Sequence, residues 1–285
     1  MACVNMTDIL SKAKAGGYAV AAFNILDYNS MRAIIKSAEE LNAPVIVQVS
    51  VKTIKLWGYK AIYTWYKELA EKIPVPIVLH LDHCKEIDVI QKCIENGWTS
   101  VMIDASSFPF EKNIELTKQV VAMARPRNIS VEAELGEIGG VEDDINIAEE
   151  ESHLADVNKS ILFCSETKPD LFAPAIGTAH GLYKGTPKIA FDRLGEISGK
   201  VGIPIALHGG TGLADEVFRQ CISLGCAKIN ISTQLKRDFI ISFIEHNKNN
   251  PEDFEPVRYI NDQYEAMKIS IMTFIKLFGS AGKAS

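Results

Sequence analysis

The stretch that decides the fold is an apolar run that ends in two histidines and an aspartate: Ile73-Pro74-Val75-Pro76-Ile77-Val78-Leu79-His80-Leu81-Asp82-His83. Such a run predicts a buried strand, and polar groups are costly to bury there unless they are paired or bind a metal. Two more histidines end similar runs, His180 after residues 174–179 and His208 after residues 203–207. These three strand ends predict one metal site assembled from distant parts of the chain.

Length and charge indicate how large the fold is and exclude some classes of protein. The chain has 285 residues, 47% of them hydrophobic, and a formal net charge of -6. This length fits one α/β barrel or two smaller domains, and the acidic balance argues against a nucleic-acid-binding face. No apolar run approaches the ~20 residues of a membrane span, and we find no signal-peptide pattern. We therefore expect a cytoplasmic protein, and its six scattered cysteines predict no disulfide framework.

Short strand-like runs alternate with amphipathic, helix-like segments. The predicted strands are Val20–Asn24, Val45–Val49, Ile77–Asp82, Ser100–Asp104, Ser130–Glu134, Leu171–Ile176, Pro204–His208 and Ala227–Ile231. Eight βα units predict a (β/α)8 TIM barrel, one catalytic domain over residues 1–285, in which strand ends converge on one face. The alternative is a doubly wound sheet, because sequence does not reveal strand order.

One predicted connection is longer than the others. After Glu134 roughly 35 residues precede the next strand, well beyond the usual βα loop. Glycines at its start and an acidic stretch to Asp156 fit a mobile, hinged loop over the site, or a solvated surface excursion. Residues 251–278 predict a C-terminal helical extension that covers the barrel or makes oligomer contacts.

Carboxylates lie at the same predicted strand ends as the histidines. Asp82 ends the third strand, Asp104 the fourth, and Glu132 and Glu134 the fifth, where residues two apart share a face. Four such acids repel one another unless a cation neutralises them, and three imidazole ligands are typical of catalytic zinc. We expect Zn2+ here, with His80 in support and Glu132 as the structural acid. Salt bridges to lysine or arginine are the alternative.

Two loops predict a phosphate site. Residues 209–212 after His208 read Gly-Gly-Thr-Gly, and residues 230–233 lead into the last barrel helix. Glycine N–H groups and helix N-termini bind anions, and loops after strands seven and eight are the usual barrel phosphate site. The alternative is that both are only tight turns. Zinc beside phosphate indicates metal-assisted cleavage of a carbon–carbon bond in a sugar phosphate.

The chain resembles the class II, zinc-dependent ketose-bisphosphate aldolases, the fructose- and tagatose-bisphosphate enzymes. The resemblance is nearly end to end and is carried by Tyr18–Asn24, His80–His83, Val131–Gly136, Gly139–Asp143, Gly177–Gly181 and Leu207–Gly210. It implies a lyase that cleaves a ketose bisphosphate to dihydroxyacetone phosphate and an aldehyde, expected to be glyceraldehyde 3-phosphate. It also implies a homodimer or homotetramer.

The resemblance assigns metal ligands residue by residue. It implies that His83, His180 and His208 bind the catalytic zinc. It implies that Asp104 and Glu134 hold a second or alternative divalent ion. Backbone groups nearby are implied to hold a monovalent cation, Na+ or K+.

The resemblance also implies proton-transfer and substrate-binding residues. Asp82 is the implied acid/base at the C4 hydroxyl, and Glu142 the carboxylate that moves the proton at C3. The implied or expected substrate-binding residues are Asn24, Ser50, Gly181, Lys184, Gly209, Gly210, Thr211, Asn230, Ile231, Ser232, Thr233 and Arg258. Arg258 is expected to bind a second phosphate, across a subunit interface.

The aldehyde half of the substrate is less well defined. The small residue Ser232 resembles the tagatose type, whereas the glycine loop at 209–212 resembles the fructose type, and Lys52 brings bulk and charge after the second strand. Fructose 1,6-bisphosphate and tagatose 1,6-bisphosphate both remain open, with another ketose 1-phosphate as an alternative. A zinc hydrolase and a non-catalytic partner subunit are more distant alternatives.

Overall fold

Eight parallel strands close into a barrel in the computed structural model, which describes residues 3–142, 145–147, 154–183 and 185–284. Three further described strands form a small separate sheet. In chain order all described strands are β1 (Val20–Asn24), β2 (Val45–Ser50), β3 (Ile77–Cys84), β4 (Ser100–Ile103), β5 (Ser130–Leu135), β6 (Gly139–Glu142), β7 (Ile145–Ile147), β8 (Leu171–Pro174), β9 (Ala179–His180), β10 (Ile205–Leu207) and β11 (Cys226–Ile231). The small sheet consists of β6, β7 and β9. The barrel order is β1-β2-β3-β4-β5-β8-β10-β11, and β11 pairs with β1. The predicted TIM barrel is confirmed, and the doubly wound alternative is wrong because this last pairing leaves no sheet edge.

One helix precedes the first barrel strand, and the other helices lie between or after the barrel strands and cover the outside of the sheet. They are α1 (Met6–Gly16), α2 (Tyr28–Glu40), α3 (Val51–Trp57), α4 (Tyr59–Ala70), α5 (Ile87–Glu95), α6 (Phe110–Ala124), α7 (Val157–Thr167), α8 (Phe191–Val201), α9 (Asp215–Ser223), α10 (Thr233–Asn249) and α11 (Pro256–Leu277), with a 3-10 turn at Arg125–Arg127. The main core lies between the sheet and these helices, where apolar faces of both are buried.

The barrel interior is apolar at its N-terminal end and polar at the other. Helix α1 closes the N-terminal end, where Met6 and Leu10 pack on Val20, Ile46 and other inward-facing residues. The apolar face of α1 covers this end of the barrel and excludes water from it. The polar side chains of the strands are therefore gathered towards the C-terminal face.

The described residues of the long connection after β5 include two strands and a helix, which corrects the expectation of one long loop. Strands β6 and β7 form an antiparallel pair, and β6 also pairs with β9. Helix α7 then supplies the fifth crossover, capped by Asp156, whose carboxylate accepts the N–H of Lys159. Its buried face includes Ser160 and Thr167, so its apolar periodicity is too weak to predict the helix.

Helix α11 lies against the barrel wall. Met267, Ile271 and Ile275 are buried, and Phe274 contacts Phe23 of β1 with ring centroids 6.5 Å apart. The expectation that the C-terminal segment covers the barrel is confirmed. Among the described residues, no helix is both long enough and apolar enough to cross a bilayer.

Candidate active site

The three predicted ligand histidines meet at the C-terminal mouth of the barrel. His83 lies on β3, His180 on β9, and His208 directly after β10. Nε2 of His83 is 2.8 Å from Nδ1 of His208, and one ring nitrogen from each histidine lies within 4.8 Å of the others. The predicted convergence of distant strand ends is therefore found, and its donor set is three imidazoles.

A bulge in β3 allows neighbouring residues to face one site. The pairing of β3 with β4 shifts register between Leu81 and Cys84, and His83 has a left-handed backbone with φ +43. In a regular strand Asp82 and His83 point to opposite faces. A left-handed non-glycine residue costs about 1–3 kcal/mol and is typical of functional sites. The strain at His83 is the cost of bringing both side chains to the same side.

Two carboxylates lie on the other side of His83. Oδ2 of Asp104 is 3.0 Å from Nδ1 of His83, and Oε2 of Glu134 is 3.8 Å from the same nitrogen. Asp104 also accepts the hydroxyl proton of Ser106 at 2.7 Å. His83, Asp104 and Glu134 thus form a second group of potential ligands that shares one histidine with the first.

The charges of this cluster fit a cation. Burial and the charge of Asp104 raise the pKa of Glu134 well above its ordinary value. Burial lowers the pKa of His83, but the negative charges of Asp82, Asp104 and Glu134 outweigh burial and raise it well above its ordinary value. Burial and the charge of His83 lower the pKa of His208 to about 4. Three imidazoles suit zinc and the carboxylates suit a second cation, so the donor set fits a divalent metal.

Asp82 is held in a buried cage of amides. Nδ2 of Asn24 donates to Oδ2 of Asp82 at 2.9 Å, Nε2 of Gln48 lies 3.4 Å from the same oxygen, and Nδ2 of Asn230 lies 3.4 Å from Oδ1. Burial opposes ionisation of Asp82, but the positive charges of His83 and Lys228 outweigh burial and lower the pKa of Asp82 to about 2. Asp82 is therefore an oriented carboxylate that stays ionised at neutral pH.

Gln48 and Lys228 are site residues that the sequence reasoning missed. Gln48 joins Asn24 to Asp82, since its Nε2 also donates to Oδ1 of Asn24 at 2.9 Å. Lys228 is fully buried, with its Nζ 2.9 Å from Oε2 of Glu132. Each is a polar residue two positions before a predicted substrate-binding residue of the same strand, Ser50 and Asn230, and this spacing was the available signal.

The two predicted phosphate loops lie side by side because β10 pairs with β11. Tyr183 joins the loop after β10 to the segment before His180: its hydroxyl donates to the carbonyl of Gly209 at 2.6 Å and accepts the N–H of Ala179 at 3.0 Å. On the β11 side, Oγ of Ser232 is buried and has no hydrogen-bond partner among the described residues. Thr233 begins α10, so a helix N-terminus opens beside this hydroxyl.

Other predicted residues lie at the edge of the site or outside it. Ser50 caps α3, since its Oγ accepts the N–H of Thr53 at 3.3 Å. Arg258 is on α11, mostly exposed, and pairs with Asp253 at 2.9 Å. The backbone of Glu142 belongs to β6, two residues after the position that pairs with His180. The side chain of Glu142, and all of Lys184, lie outside the described residues.

Comparisons with known proteins agree with this geometry. Residues 4–283 match the family model "Fructose-bisphosphate aldolase class-II". The chain is 40% identical over 288 residues to "Fructose-bisphosphate aldolase" of Geobacillus stearothermophilus, and 40% identical over 287 residues to "Probable fructose-bisphosphate aldolase" of Bacillus subtilis (strain 168), with all of each chain covered. Among solved structures, the YdjI aldolase of Escherichia coli K12 superposes with a TM-score of 0.88 at 31% identity, over 99% of this chain and 100% of that one.

Proposed function

The chain belongs to the class II fructose-bisphosphate aldolase family, and from that membership we propose how its site works: His83, His180 and His208 bind zinc, and Asp82 moves the proton of the cleaved hydroxyl. The protein is an aldolase, and hence a lyase, that acts on a ketose bisphosphate. The observation that carries the assignment of residues is the convergence of three ring nitrogens within 4.8 Å next to a caged, ionised Asp82.

The metal ligands follow from the donor set. His83, His180 and His208 would hold the ion with three imidazoles, the ligand number that is typical of catalytic zinc. When bound, zinc polarises a ketone carbonyl and stabilises the negative charge that develops on its oxygen. Asp104 and Glu134 would hold a second divalent ion, or the same ion in an alternative position, because they share His83 with the first group.

Asp82 is the acid/base at the aldehyde end. In cleavage its carboxylate accepts the proton of the C4 hydroxyl, and in condensation it returns that proton. Asn24 donates to the carboxylate at 2.9 Å, and Gln48 donates to the side-chain oxygen of Asn24 at 2.9 Å, so the reacting oxygen is fixed before substrate arrives. Such positioning is how a weak base becomes an effective catalyst. Glu142 would move the proton at C3 of the dihydroxyacetone phosphate unit.

The phosphate of that unit would bind at the loops after β10 and β11. Residues 209–211 offer backbone N–H groups, and Ser232 and Thr233 offer hydroxyls at the N-terminus of α10. Gly181 and Lys184 would also bind the dihydroxyacetone phosphate unit, and backbone groups near the metal site would hold Na+ or K+. Arg258 would bind a second phosphate of a neighbouring subunit's substrate.

Fructose 1,6-bisphosphate or tagatose 1,6-bisphosphate is the proposed substrate, with glyceraldehyde 3-phosphate as the aldehyde product. The two sugars differ only in configuration at C4, the carbon whose hydroxyl Asp82 would deprotonate. Cleavage rates on both bisphosphates and on their 1-phosphates therefore distinguish the substrates. A preference of at least tenfold for one bisphosphate would identify the sugar, and a preference for a 1-phosphate would contradict the proposed second phosphate site.

Metal removal tests the mechanism directly. The protein is treated with a chelator, and release of triose phosphate is followed before and after zinc is restored. We expect activity to disappear and to return with about one zinc per chain. Full activity without metal, or a covalent adduct trapped by borohydride on a lysine, would contradict the zinc mechanism.

An oligomer and a cytoplasmic location are also proposed for this one-domain chain of residues 1–285. Apolar side chains on α10 and α11 are exposed, including Ile244 (59%) and Val257 (58%). Exposed apolar side chains that adjoin one another are typical of a protein interface. The mass in solution, measured by light scattering, distinguishes a homodimer or homotetramer from a monomer.

The proposed cytoplasmic location is supported by the six cysteines, which are all free, as fits a reducing compartment.

A further inference from the structure

A fully buried carboxylate lies directly behind one of the proposed zinc ligands. Oε1 of Glu132 is 2.7 Å from Nε2 of His208. Its other oxygen, Oε2, is 2.9 Å from Nζ of Lys228 and 3.2 Å from Nε2 of His80. All four residues are buried, at 1% exposure or less. Glu132 is therefore hydrogen bonded to His208 and lies within ion-pair distance of Lys228 and His80, and these three groups come from different strands or strand ends.

These contacts determine which nitrogen of His208 carries the proton. A carboxylate only accepts hydrogen bonds when ionised, so the nitrogen facing Glu132, Nε2, bears the hydrogen. Nδ1 then keeps its lone pair, and Nδ1 is the atom that faces His83 at 2.8 Å. A histidine that binds metal commonly donates its other N–H to a carboxylate, which fixes the ring. Glu132 thus presents His208 in the tautomer that a metal needs.

The rest of the cluster holds Glu132 in place. Nδ1 of His80 is hydrogen bonded to the hydroxyl of Ser100 at 2.8 Å, which holds the ring with its Nε2 facing Oε2 of Glu132 at 3.2 Å. Lys228 balances the carboxylate charge, so the pair is neutral inside the barrel. A buried ion pair is a weak source of stability, because apolar residues of the same volume often serve as well or better. Stability alone therefore does not account for a charged pair at this position.

We propose that Glu132, anchored by Lys228 and His80, is a positioning residue that orients His208 and thereby sets the affinity of the site for its metal. This inference rests on the proposed zinc site. It assigns Glu132 a role in metal binding, beyond the structural role that the sequence indicated. Lys228 is the counter-charge that holds the Glu132 carboxylate against His208.

The test compares Glu132→Gln, Lys228→Met and the double variant in two measurements. The first is zinc affinity, from competition with a chromophoric chelator, and the second is urea unfolding of the metal-free protein. Each single variant leaves one buried charge without a partner, so we expect both to be less stable than wild type. The double variant removes both charges, so its stability should return towards that of wild type.

Zinc affinity should behave differently from stability. We expect Glu132→Gln and the double variant to bind zinc about 10- to 100-fold more weakly, the usual effect of removing the partner of a ligand. The visible spectrum of the Co2+-loaded double variant should also change, because a neutral amide replaces the carboxylate that faces Nε2 of His208. Tyr66→Phe is the control: it removes another buried hydrogen bond to β3, from the tyrosine hydroxyl to the carbonyl of Ile77 at 2.8 Å, and should leave zinc affinity unchanged.

The outcomes separate the inference from the function on which it rests. A double variant that regains both stability and wild-type zinc affinity would show that the pair only packs the barrel, and would overturn the inference. Equal weakening of zinc binding in Tyr66→Phe would overturn it as well. Wild-type protein that binds no zinc would instead refute the proposed metal site itself. If the single variants fail to fold, the double variant and the control still decide the question.

Discussion

Gly209→Ala should disturb the metal site through backbone contact alone. Gly209 follows His208 directly and has a left-handed backbone, φ +67. A Cβ placed there would lie 2.7 Å from the carbonyl carbon of Ala179 and 3.0 Å from its nitrogen, and closer still to its oxygen. Ala179 precedes His180. One methyl group would therefore push apart the two segments that carry two of the three proposed zinc ligands.

The size of the effect follows from two separate costs. An alanine in the left-handed region costs about 1–2 kcal/mol. Restoring an ordinary contact of 3.4 Å to the carbonyl carbon requires a shift of about 0.7 Å in rigid backbone, and overpacking of this kind costs a further 1–3 kcal/mol, roughly. We expect the free energy of unfolding to fall by about 2–5 kcal/mol in total.

Gly202→Ala is the matched control. Gly202 is also left-handed, with φ +76, but a Cβ there would meet nothing within 4 Å, so only the conformational cost of about 1–2 kcal/mol applies. Urea unfolding of the metal-free variants gives the stability difference, and chelator competition gives zinc affinity. Gly209→Ala should bind zinc at least about tenfold more weakly, whereas Gly202→Ala should bind it as wild type does. Equal stability and equal zinc affinity of the two variants would refute the reasoning.

Three further substitutions test the caged acid and the α10–α11 junction. Asp82→Asn should keep zinc affinity and lower cleavage by about 10²–10⁴-fold, measured by zinc titration and triose phosphate release; cleavage at the wild-type rate would remove Asp82 from the mechanism. Gln48→Glu adds a second carboxylate within reach of Asp82, and like charges raise a pKa, so the acidic limb of the pH–kcat/KM profile should move to higher pH; an unmoved limb would contradict the contact. Hydrogen bonds with Asp262 and Asp253 raise the pKa of His246, so their contribution to stability is full below the ordinary histidine pKa and is lost as pH rises through the raised one. His246→Gln should therefore lower the urea midpoint more near about pH 5.5 than near about pH 9, and a difference independent of pH would disprove the ion pairs.

The strands were predictable because a parallel barrel buries both faces of its sheet. Most of the predicted strands are apolar runs bounded by polar or turn-forming residues, whereas residues 130–134 alternate polar and apolar side chains. All eight predictions lie within two residues of the observed bounds. Helix α7 was missed for the opposite reason. Its buried face includes Ser160 and Thr167, so burial there is not marked by hydrophobic residues. The pairing of β6 with β9 was also beyond prediction, because two-residue strands such as β9 carry no pattern.

The spacing of polar residues along the barrel strands could have predicted more of the buried polar residues than it did. Gln48, His80, Glu132 and Lys228 each lie two positions before another polar residue of the same strand, so each pair shares a face. Only His80 and Glu132 were noted, as supporting and structural residues. The complete set indicates a second polar layer beneath the one that is proposed to contact substrate.

The sequence by itself determined the fold class, the family and the residues that end each barrel strand, because these depend on local composition and on motifs of a few residues. Only the tertiary structure decided how those residues act. The bulge that turns His83 beside Asp82 depends on the register between β3 and β4. The carboxylate that orients His208 comes from a residue 76 positions away. Both depend on distances between strands that are set when the barrel closes, and such distances are properties of the packed molecule rather than of any segment of the chain.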